Sequence, residues 1–522
     1  MSGRLAGLTS WNADWRGLRV AVLGLSVTGF SVADTLAELG AEVLVVTESA
    51  DEEYARLLPV IGARLWTGSL AAVPADLREF APQVVVASPG FAPHHPLIRW
   101  ALESDIAVWG DVEVAWRVRD KITRADGTPA DWVLITGTNG KTTTTQLTAT
   151  MLAAGGLRAA PCGNIGVPVL DAVRDPAGFD VLVVELSSHQ LWYLGLHADG
   201  HGLSPYASVC LNLAEDHLEW HGSFDAYRDA KAVVYQNTRV ACVYNKSDEA
   251  TRRMVEDADV VEGCRAIGFD LGVPGPSDFG VVDGILVDRA FLDDRHTSAL
   301  ELTTVADLAA AGLSAPHVVA NVLAAAALAR AVGVSTSAVR DALQTFRLDP
   351  HRIEVVAVSG GITWVDDSKA TNPHAAASSL AAYPGAVWVL GGVLKGVDVA
   401  ELVRARGPAT KAAIVIGVDR VEIAAAFARH APGVPVFEVD HAQTEDVMAE
   451  VVDLAARVAR DGDTVLLAPA AASFDQFGSY ADRGSQFARA VREWIGRSQD
   501  DADTTDGEDA GDDDRATPAG DS

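Results

Sequence analysis

The chain has 522 residues, of which 49% are hydrophobic and 21% charged, and its formal net charge is −30. This length exceeds what one hydrophobic core supports, so we expect about three domains of an ordinary globular protein. The acidic balance argues against general nucleic-acid binding, because phosphate backbones bind Lys and Arg.

The N-terminus and the cysteines indicate a cytoplasmic protein. The N-terminus has no basic segment followed by an apolar run and a small-residue cleavage site, so we do not expect secretion. No apolar run approaches the roughly 20 residues of a membrane-spanning helix, so we expect no membrane insertion. The cysteines are scattered without a C-x-x-C pair, which is typical of buried, reduced thiols; they are Cys162, Cys210, Cys242 and Cys264.

The first predicted domain, residues 1–125, alternates strand and helix patterns. The β-branched run Arg19–Leu25 is followed by a helical pattern and then by a second strand pattern, AEVLVVTE. A further strand pattern, Gln83–Gly90, ends in a turn. This alternation predicts βαβ units and a parallel sheet.

Two further domains are predicted, at residues 126–345 and 346–497. Both alternate strands with helices; the second domain includes an alanine-rich helix from His317 to Val332. The sequence thus predicts an α/β protein whose parallel sheets bind ligands at the carboxyl ends of the strands. Residues 498–522 are acidic and poor in apolar side chains, which predicts a disordered tail, with an acidic docking arm as the alternative.

A glycine-rich loop, GTNGKTT at residues 137–143, joins a predicted strand to a predicted helix. Backbone N–H groups and the positive helix end suit an anion, Lys141 reaches the outer phosphates of a nucleotide, and Thr142 can bind Mg²⁺. The two glycines are closer in sequence than in the common phosphate-binding loop. A glycine turn without function is the alternative, but the Lys-Thr-Thr run favours phosphate binding.

Two side chains outside the loop complete a candidate magnesium site. Glu185 ends the strand pattern VVELSS, and His217 follows the strand pattern YASVCLNLAED. Taken singly, Glu185 could begin a helix and His217 could be a surface histidine. Near a bound triphosphate, however, a carboxylate and an imidazole can complete a coordination shell of water and phosphate oxygens.

These segments resemble the Mur ligase family. GTNGKTT is similar to the family's ATP loop, short spacing included, and four more segments match: CGNIGVP, PHVVAN, PHRIE and DDSKATNP. In PHVVAN, Val318 stands where the family has its first Asn, so only Asn321 is matched. The resemblance covers about residues 18–497. It implies an ATP-dependent, amide-forming ligase with three domains: Rossmann-like, P-loop ATPase-like and Rossmann-like.

The resemblance also implies roles for single residues. Catalysis is implied for Lys141, His217 and Lys231. ATP binding is implied for Gly137, Thr138, Asn139, Gly140, Lys141, Thr142, Thr143, Asn321, Arg352, Asp367 and Lys369. A pair of Mg²⁺ ions is implied, with Thr142, Glu185, His217 and a CO₂-derived carbamate on Lys231 as ligands. Contacts to a UDP-linked substrate are implied for Val27, Thr28, Asn164, Ser187 and His217. Thr47 and Glu48 align with the family's uracil-contacting pair.

The C-terminal region resembles the members of the family that add D-glutamate. The segment Ala468–Phe487, APAAASFDQFGSYADRGSQF, and the segment LGGVLKGVD both match that branch. Contacts to D-glutamate are thereby implied for Thr371, Lys395, Ser473 and Tyr480. The expected partners are therefore UDP-N-acetylmuramoyl-L-alanine and D-glutamate, with no nucleic acid, and we expect a monomer.

The sequence leaves three alternatives. A P-loop switch or transport ATPase would hydrolyse nucleotide, but it leaves the C-terminal segments unexplained. A hydride-transfer enzyme is disfavoured because Gly24–Gly29, GLSVTG, lacks the middle glycine of the dinucleotide fingerprint. Within the family, the alternative is a member that adds another amino acid, although the D-N-P-R motif of the diaminopimelate and lysine branches is absent.

Overall fold

The computed structural model describes residues 3–196, 202–440 and 446–506, with side chains up to residue 498. The chain forms two compact units, Met1–Arg347 and Leu348–Ser522. Among the described residues, none of the helices combines the length and the hydropathy that crossing a bilayer requires.

The first unit begins with a five-stranded parallel sheet in the order β3-β2-β1-β4-β5. Its central strand, RVAVL, is β-branched and almost fully buried, as a strand covered on both faces requires. The elements in chain order are α1 (Gly3–Ala6), β1 (Arg19–Leu23), α2 (Val27–Glu38), β2 (Glu42–Thr47), α3 (Glu52–Leu57), β3 (Arg64–Thr67), α4 (Ala75–Phe80), β4 (Val84–Ala87), α5 (Pro96–Glu103), β5 (Ala107–Gly110) and α6 (Asp111–Arg117).

The same unit contains a nine-stranded sheet in the order β14-β13-β12-β11-β10-β9-β6-β8-β7. In this order, the seven strands from β12 to β7 pair in parallel. The pairs β12–β13 and β13–β14 are antiparallel. The elements are β6 (Asp131–Thr136), α7 (Lys141–Ala154), β7 (Ala159–Gly163), α8 (Val169–Arg174), β8 (Val181–Glu185), α9 (Ser188–Gly195), β9 (Ala207–Cys210), α10 (Leu218–His221), α11 (Phe224–Ala232), β10 (Ala241–Asn245), α12 (Glu249–Glu256), β11 (Arg265–Phe269), β12 (Asp278–Val282), β13 (Ile285–Asp288), β14 (Leu300–Thr304), α13 (Val305–Ala310), α14 (Pro316–Val332) and α15 (Thr336–Thr345).

Polar contacts join the two sheets of the first unit. Gln190 on α9 donates from Nε2 to Asp111 Oδ2 on α6 at 3.0 Å. Burial raises the pKa of Asp111 to about 6. Arg174 at the end of α8 forms ion pairs with Asp34 at 2.7 Å and Glu38 at 2.8 Å on α2. The helices that follow β5 and β7 are thereby fixed to their neighbours.

The second unit has a six-stranded sheet in the order β15-β16-β20-β17-β18-β19, parallel except for the β15–β16 hairpin. Trp364 and Trp388, both fully buried, pack on opposite faces of this sheet in separate core clusters. The elements are β15 (Glu354–Ser359), β16 (Ile362–Asp366), α16 (Pro373–Ala382), β17 (Val387–Gly391), α17 (Ala400–Arg406), β18 (Ala412–Ile416), α18 (Arg420–His430), β19 (Val436–Glu438), α19 (Val447–Val458), β20 (Thr464–Leu467) and α20 (Tyr480–Asp506).

The predicted fold class is confirmed: there are three sheets, each mainly parallel and flanked by helices. The proposed division at residues 125 and 126 lies inside the first compact unit. Helix α20 continues to Asp506, into the first residues of the predicted tail, and the disorder of that tail stays a prediction. A helix that is already formed extends at little cost per residue. Residues 507–522 of the predicted tail lie outside the described residues.

Of the cysteines, Cys162, Cys210 and Cys242 are buried as expected. Cys264 is half-buried, contrary to the expectation, and its Sγ lies 3.7 Å from that of Cys242. Cys264 immediately precedes β11, where the chain enters the sheet from the surface, which explains its partial exposure.

Candidate active site

The loop that follows β6 requires both of its glycines. Gly137 has a φ of +151° and Gly140 a φ of +84°, which are conformations that side chains disfavour. A Cβ at Gly137 would lie 3.0 Å from the Cβ of Leu211, and one at Gly140 would lie 2.5 Å from Oδ1 of Asn321. The loop is therefore packed against β9 and α14, and Asn321 lies directly beside it.

The backbone of the loop is fixed by a polar segment that follows β9. The backbone N–H of Asn139 donates to Asn212 Oδ1 at 2.9 Å, and Asn212 Nδ2 donates back to the Asn139 carbonyl at 3.1 Å. The hydroxyl of Thr138 lies 2.9 Å from the Tyr227 hydroxyl and accepts from the backbone N–H of Ala214 at 3.0 Å. These contacts hold the loop in one conformation, as a phosphate site requires.

Two lysines converge on the loop. Lys141, the first residue of α7, donates from Nζ to the carbonyls of Gly137 and Thr138, both at 2.9 Å. Lys231 on α11 donates from Nζ to the Gly137 carbonyl at 3.0 Å and to the hydroxyl of Thr136 at 3.2 Å. One residue of the sequence-predicted loop and one from a distant helix thus share an acceptor.

Lys231 lies in an environment that disfavours its positive charge. Its side chain is 1% exposed, and burial, followed by the nearby charge of Lys141, lowers its pKa to about 7. Tyr227 adds a ring face at 5.0 Å from Nζ. An amine with this pKa is substantially neutral at neutral pH and can act as a nucleophile.

Glu185 ends β8 next to the loop. It is 1% exposed, and its Oε1 accepts from Asn164 Nδ2 at 2.8 Å. Its Oε2 is buried and has no hydrogen-bond partner among the described residues. Gly163 makes this approach possible, because a Cβ there would lie 2.5 Å from the Glu185 carbonyl. A buried carboxylate oxygen without a partner, beside a phosphate loop, fits a Mg²⁺ ligand.

His217 lies in a cluster of aromatic rings after β9. Its backbone is left-handed, with a φ of +54°, and its Nε2 lies 3.6 Å from Asp216 Oδ2. The ring of His189 lies 4.7 Å from that of His217 and stacks on Trp220 at 4.3 Å. Burial, followed by the charges of His217 and His221, lowers the pKa of His189 to about 3, so His189 is a neutral packing partner.

The residues matched to the UDP-linked substrate are divided between the two sheets of the first unit. Val27 and Thr28 begin α2 at the carboxyl end of β1, and Val27 is 55% exposed. Asn164 and Ser187 lie near Glu185, and Ser187 caps α9 with a capping box. At the end of β2, the Thr47 hydroxyl donates to the Ser49 carbonyl at 2.7 Å.

In the second unit, the residues matched to ATP contacts flank the β15–β16 hairpin: Arg352 precedes β15, and Asp367 and Lys369 follow β16. Asp367 is 7% exposed; its Oδ1 accepts from the backbone N–H of Ile353 at 3.3 Å, and its Oδ2 accepts from the Ser379 hydroxyl. Burial raises its pKa to about 6, and the charge of Arg352 opposes that rise. Lys369 Nζ lies 3.8 Å from the centre of the Tyr480 ring.

Three of the four residues matched to D-glutamate contacts lie on loops at the carboxyl ends of strands in the second unit, and the fourth, Tyr480, begins α20. Thr371 follows β16, Lys395 follows β17 and Ser473 follows β20. Lys395 is exposed, its backbone is left-handed with a φ of +55°, and its Nζ lies 5.9 Å from the Phe474 ring. Parallel sheets bind their ligands at such strand ends.

Arg483 is a residue to which the sequence assigned no role. It is fully buried on α20 and donates from Nε to the Ser368 hydroxyl at 2.9 Å and from Nη2 to the Ser368 carbonyl at 3.0 Å. Its Nη1 donates to the Ala471 carbonyl at 3.2 Å. Burial lowers its pKa to about 10. The loops that carry Thr371 and Ser473 are therefore held by one guanidinium.

Asn212, Tyr227 and His189 were also missed by sequence reasoning. Each contacts a matched residue from a distant position, and a single sequence carries no local signal for such contacts. Arg483 does lie in the R-G-x-x-F part of a matched segment, and that segment could have indicated it.

The fold and the site together define an α/β nucleotide-binding enzyme. Two family models match the chain: the Mur ligase middle domain at residues 135–329 and the Mur ligase, glutamate ligase domain at residues 351–471. The UDP-N-acetylmuramoylalanine--D-glutamate ligase of Leifsonia xyli is 64% identical over 95% of this chain and 97% of its own length. The relative of the same name from Streptomyces avermitilis is 50% identical over 92% and 99%.

Solved structures agree in fold. The chain matches the UDP-N-acetylmuramate-alanine ligase MurC of Thermotoga maritima with a TM-score of 0.51 and 18% identity, covering 92% of this chain and 99% of that one. It matches the MurF ligase of Thermotoga maritima in complex with ADP with a TM-score of 0.53 and 16% identity, covering 88% and 96%. The chain belongs to the Mur ligase family.

Proposed function

We propose that this chain joins D-glutamate to UDP-N-acetylmuramoyl-L-alanine at the expense of ATP, a step of peptidoglycan precursor synthesis. The observation that carries the proposal is the convergence of Lys141 and Lys231 on the Gly137 carbonyl of the phosphate loop. The relatives that share half or more of this sequence are named for that ligation. An ATP-consuming ligase needs a cation, here Lys141, where phosphoryl transfer takes place.

In this proposal the loop binds the phosphates of ATP. The backbone N–H groups of residues 137–143 and the N-terminus of α7 face the anion, and Lys141 moves from the loop carbonyls to the outer phosphates. Asn321, beside Gly140, contacts the adenine side. Arg352, Asp367 and Lys369 of the second unit contribute further contacts to the nucleotide.

Mg²⁺ fits the residues beside the loop. Thr142, Glu185 and His217 would hold it, and the partnerless Oε2 of Glu185 supports that choice. The ion supplies charge neutralisation for the phosphate oxygens. Neighbouring side chains position two of these ligands: Asn164 orients the Glu185 carboxylate, and the ring of His189 packs against His217.

Lys231 is proposed to carry a carbamate. Its neutral Nζ attacks the carbon of CO₂, an N–C bond forms, and one proton is released to solvent. The product is an anionic side chain at a position where the buried ammonium is disfavoured. Such a carboxylate would provide a ligand for a second Mg²⁺, and the short distance from Lys231 to the loop supports this role.

The reaction begins with activation of a carboxylate. An oxygen of the L-alanine carboxylate attacks the γ-phosphorus of ATP, the bond to the β–γ bridging oxygen breaks, and an acyl phosphate and ADP form. The two reacting anions repel each other by on the order of 4 kcal/mol at 4 Å and an effective dielectric constant of about 20. Lys141 and the loop N–H groups offset this repulsion as charge spreads over the transferring group.

The second step forms the amide. The amine nitrogen of D-glutamate attacks the acyl carbon, a tetrahedral intermediate collapses, phosphate leaves, and the amine loses a proton. Thr371, Lys395 and Ser473, on loops at the strand ends, and Tyr480, at the start of α20, are proposed to bind the D-glutamate carboxylates. Holding the amine and the acyl phosphate in register can lower the barrier by roughly 7–11 kcal/mol.

We assign one substrate to each of the three sheets. We assign the UDP-linked substrate to residues 1–125 together with Asn164, Ser187 and His217, with Val27 and Thr28 at its diphosphate. ATP is assigned to residues 126–345, and D-glutamate to residues 346–497. A transport ATPase or switch is disfavoured because such a protein would not need an amino-acid site on a third sheet.

The test is the dependence of phosphate release on each substrate. Phosphate release from ATP and Mg²⁺ is measured with both UDP-N-acetylmuramoyl-L-alanine and D-glutamate, and with each left out in turn. The proposal predicts sustained release only when both are present. Rapid release without either substrate would favour an ATPase or switch and contradict the ligase.

A further inference from the structure

A surface cavity of about 440 Å³ lies far from the phosphate loop in the first unit. Arg265, the first residue of β11, forms one wall, and the connection from β13 to β14 forms the other. That connection contributes Phe291, Leu292, Asp293, Arg295 and His296. The volume lies within the range of cavities that bind small molecules.

The cavity lies at the amino end of β11, whereas the phosphate loop lies at the carboxyl end of β6. Arg265 is in register with Ala241 on β10, which is in register with Ala207 on β9 and, through it, with Val133 on β6. The phosphate loop lies beyond the carboxyl end of β6. Four residues along a strand and three strand spacings separate the two places by ~20 Å.

The two arginines of this cavity are without carboxylate partners. Among the residues the structure describes, no carboxylate oxygen lies within 4.0 Å of the guanidinium of Arg265 or Arg295. Arg265 donates to the Ala290 carbonyl at 2.7 Å, and Nε of Arg295 is buried without a hydrogen-bond partner in the described part of the chain. Burial, followed by the neighbouring charge of Arg295, lowers the pKa of Arg265, and the charge of Asp288 opposes this shift. A pair of like charges in this arrangement is stabilised by an anion.

The wall that carries Arg295 is rigidly held. Asp288, fully buried, accepts from the backbone N–H of Phe291 at 2.9 Å and from Arg330 Nε at 2.9 Å. Arg330 Nη2 also donates to the Phe291 carbonyl at 2.9 Å. Arg289 Nη2 donates to the Arg295 carbonyl at 3.0 Å. Two other arginines therefore fix the backbone, and the pair in the cavity is left for a ligand.

The remaining lining identifies the chemical class of the ligand. The guanidinium of Arg265 lies 5.1 Å from the centre of the Phe291 ring, so an apolar surface adjoins the charges. Asp293 offers an acceptor for hydroxyl groups. The overall charge of −30 disfavours long polyanions such as nucleic acids. We propose that this cavity binds a small, hydroxylated organic phosphate, with its phosphate between Arg265 and Arg295 and its organic part against Phe291.

Isothermal titration calorimetry tests this site on the full chain saturated with ADP and Mg²⁺. The titrants are glucose 6-phosphate and UMP, which separate a sugar phosphate from a nucleotide, and inorganic phosphate. We expect at least one organic phosphate to bind about tenfold more weakly to the double variant Arg265→Gln/Arg295→Gln, because charged hydrogen bonds are lost. The matched control is Arg252→Gln, an exposed arginine on α12 paired with Glu249, and it should bind normally.

The site would be overturned if neither organic phosphate bound, or if the double variant bound them as well as the wild type. Equal affinity for inorganic phosphate would overturn the assignment to an organic ligand. Unchanged ADP affinity shows that the variants are folded. A second measurement needs no nucleotide: the ligand should protect Arg295, but not Arg252, from modification by phenylglyoxal, as mapped by mass spectrometry. Equal modification with and without ligand would also overturn the site.

Discussion

Lys141 and Lys231 donate to the same backbone carbonyl oxygen, that of Gly137, at 2.9 and 3.0 Å. One lysine belongs to the loop itself and the other to a helix that packs behind it. Burial, followed by the nearby charge of Lys141, lowers the pKa of Lys231, so that its amine is shifted toward the neutral form beside the loop lysine. Phosphate binding and the proposed modification thus depend on one arrangement.

The first prediction concerns the role of Lys141 in phosphate binding. Lys141→Ala should lower kcat/KM by about 10²–10⁴-fold, because one cation is lost where charge develops in the transition state. The measurement is steady-state ADP release, with circular dichroism as the check of folding. Lys246→Ala is the matched control, since Lys246 pairs with Asp278 and lies outside the site. A folded Lys141→Ala protein with nearly normal turnover would exclude this loop from catalysis.

The second prediction concerns the carbamate. The protein incubated with ¹³C-bicarbonate should give a carbamate ¹³C signal that is absent in Lys231→Ala. The same variant should be nearly inactive and should regain part of its activity when a short carboxylate such as formate is added. Full activity of Lys231→Ala without added carboxylate would remove the modification from the mechanism.

The third prediction is a dependence of stability on pH. The pKa of Lys231 is lowered to about 7 in the folded chain, whereas an unfolded lysine titrates at about 10.4. Between these values the unfolded state binds more protons, so the free energy of unfolding contributed by Lys231 rises with pH from about 7 to about 10.4. Below pH 7 both states are protonated and the contribution is constant.

Urea unfolding in carbonate-free buffer between pH 7 and pH 10 measures this dependence. Lys231→Met keeps the length of the side chain without the amine, so its curve should rise less steeply than that of the wild type. The difference between the two curves isolates Lys231 from other titrating groups. Parallel curves would show that the amine of Lys231 has an ordinary pKa.

Part of the site could be predicted from the sequence because it is local. The loop at residues 137–143 carries its glycines, lysine and threonines in one segment, and its strand–loop–helix context could be recognised. Strand and helix patterns likewise predicted the three sheets. The hydrogen bonds that hold the loop could not be predicted, since Asn212 and Tyr227 are 73 and 89 positions from the loop residues that they contact.

The burial of Lys231 could not be predicted from the sequence either. A lysine on a short helix is normally exposed, and only the packing of α11 against β6 and the loop buries Nζ. The helical extension to Asp506 was missed for a different reason: composition alone favours disorder, but α20 is already formed before that acidic segment begins.

A fourth prediction concerns Arg483. Arg483→Met should destabilise the second unit by about 2–5 kcal/mol, because it leaves buried carbonyls and the Ser368 hydroxyl without their donor. The measurement is the denaturant midpoint of that unit. Arg497→Met, on the exposed part of the same helix, is the control and should change little. A shift below about 0.5 kcal/mol would show that Arg483 does not hold the loops.

A fifth prediction concerns the amino-acid site. Lys395→Ala should raise the KM for D-glutamate far more than the KM for ATP, because a carboxylate loses its cationic partner. Lys411→Ala, whose side chain pairs with Asp463, serves as the control on the same sheet. An equal rise of both KM values would place Lys395 outside the amino-acid site.

The central claim is tested most directly by ADP release with UDP-N-acetylmuramoyl-L-alanine, ATP and Mg²⁺ against a panel of D- and L-amino acids. The account predicts rapid release with D-glutamate and little with L-glutamate, L-lysine or diaminopimelate. A bulky aliphatic amino acid would leave each polar group of the site unpaired, at a cost of about 1–3 kcal/mol per neutral group. Efficient release with L-lysine or diaminopimelate, or none with D-glutamate, would contradict it.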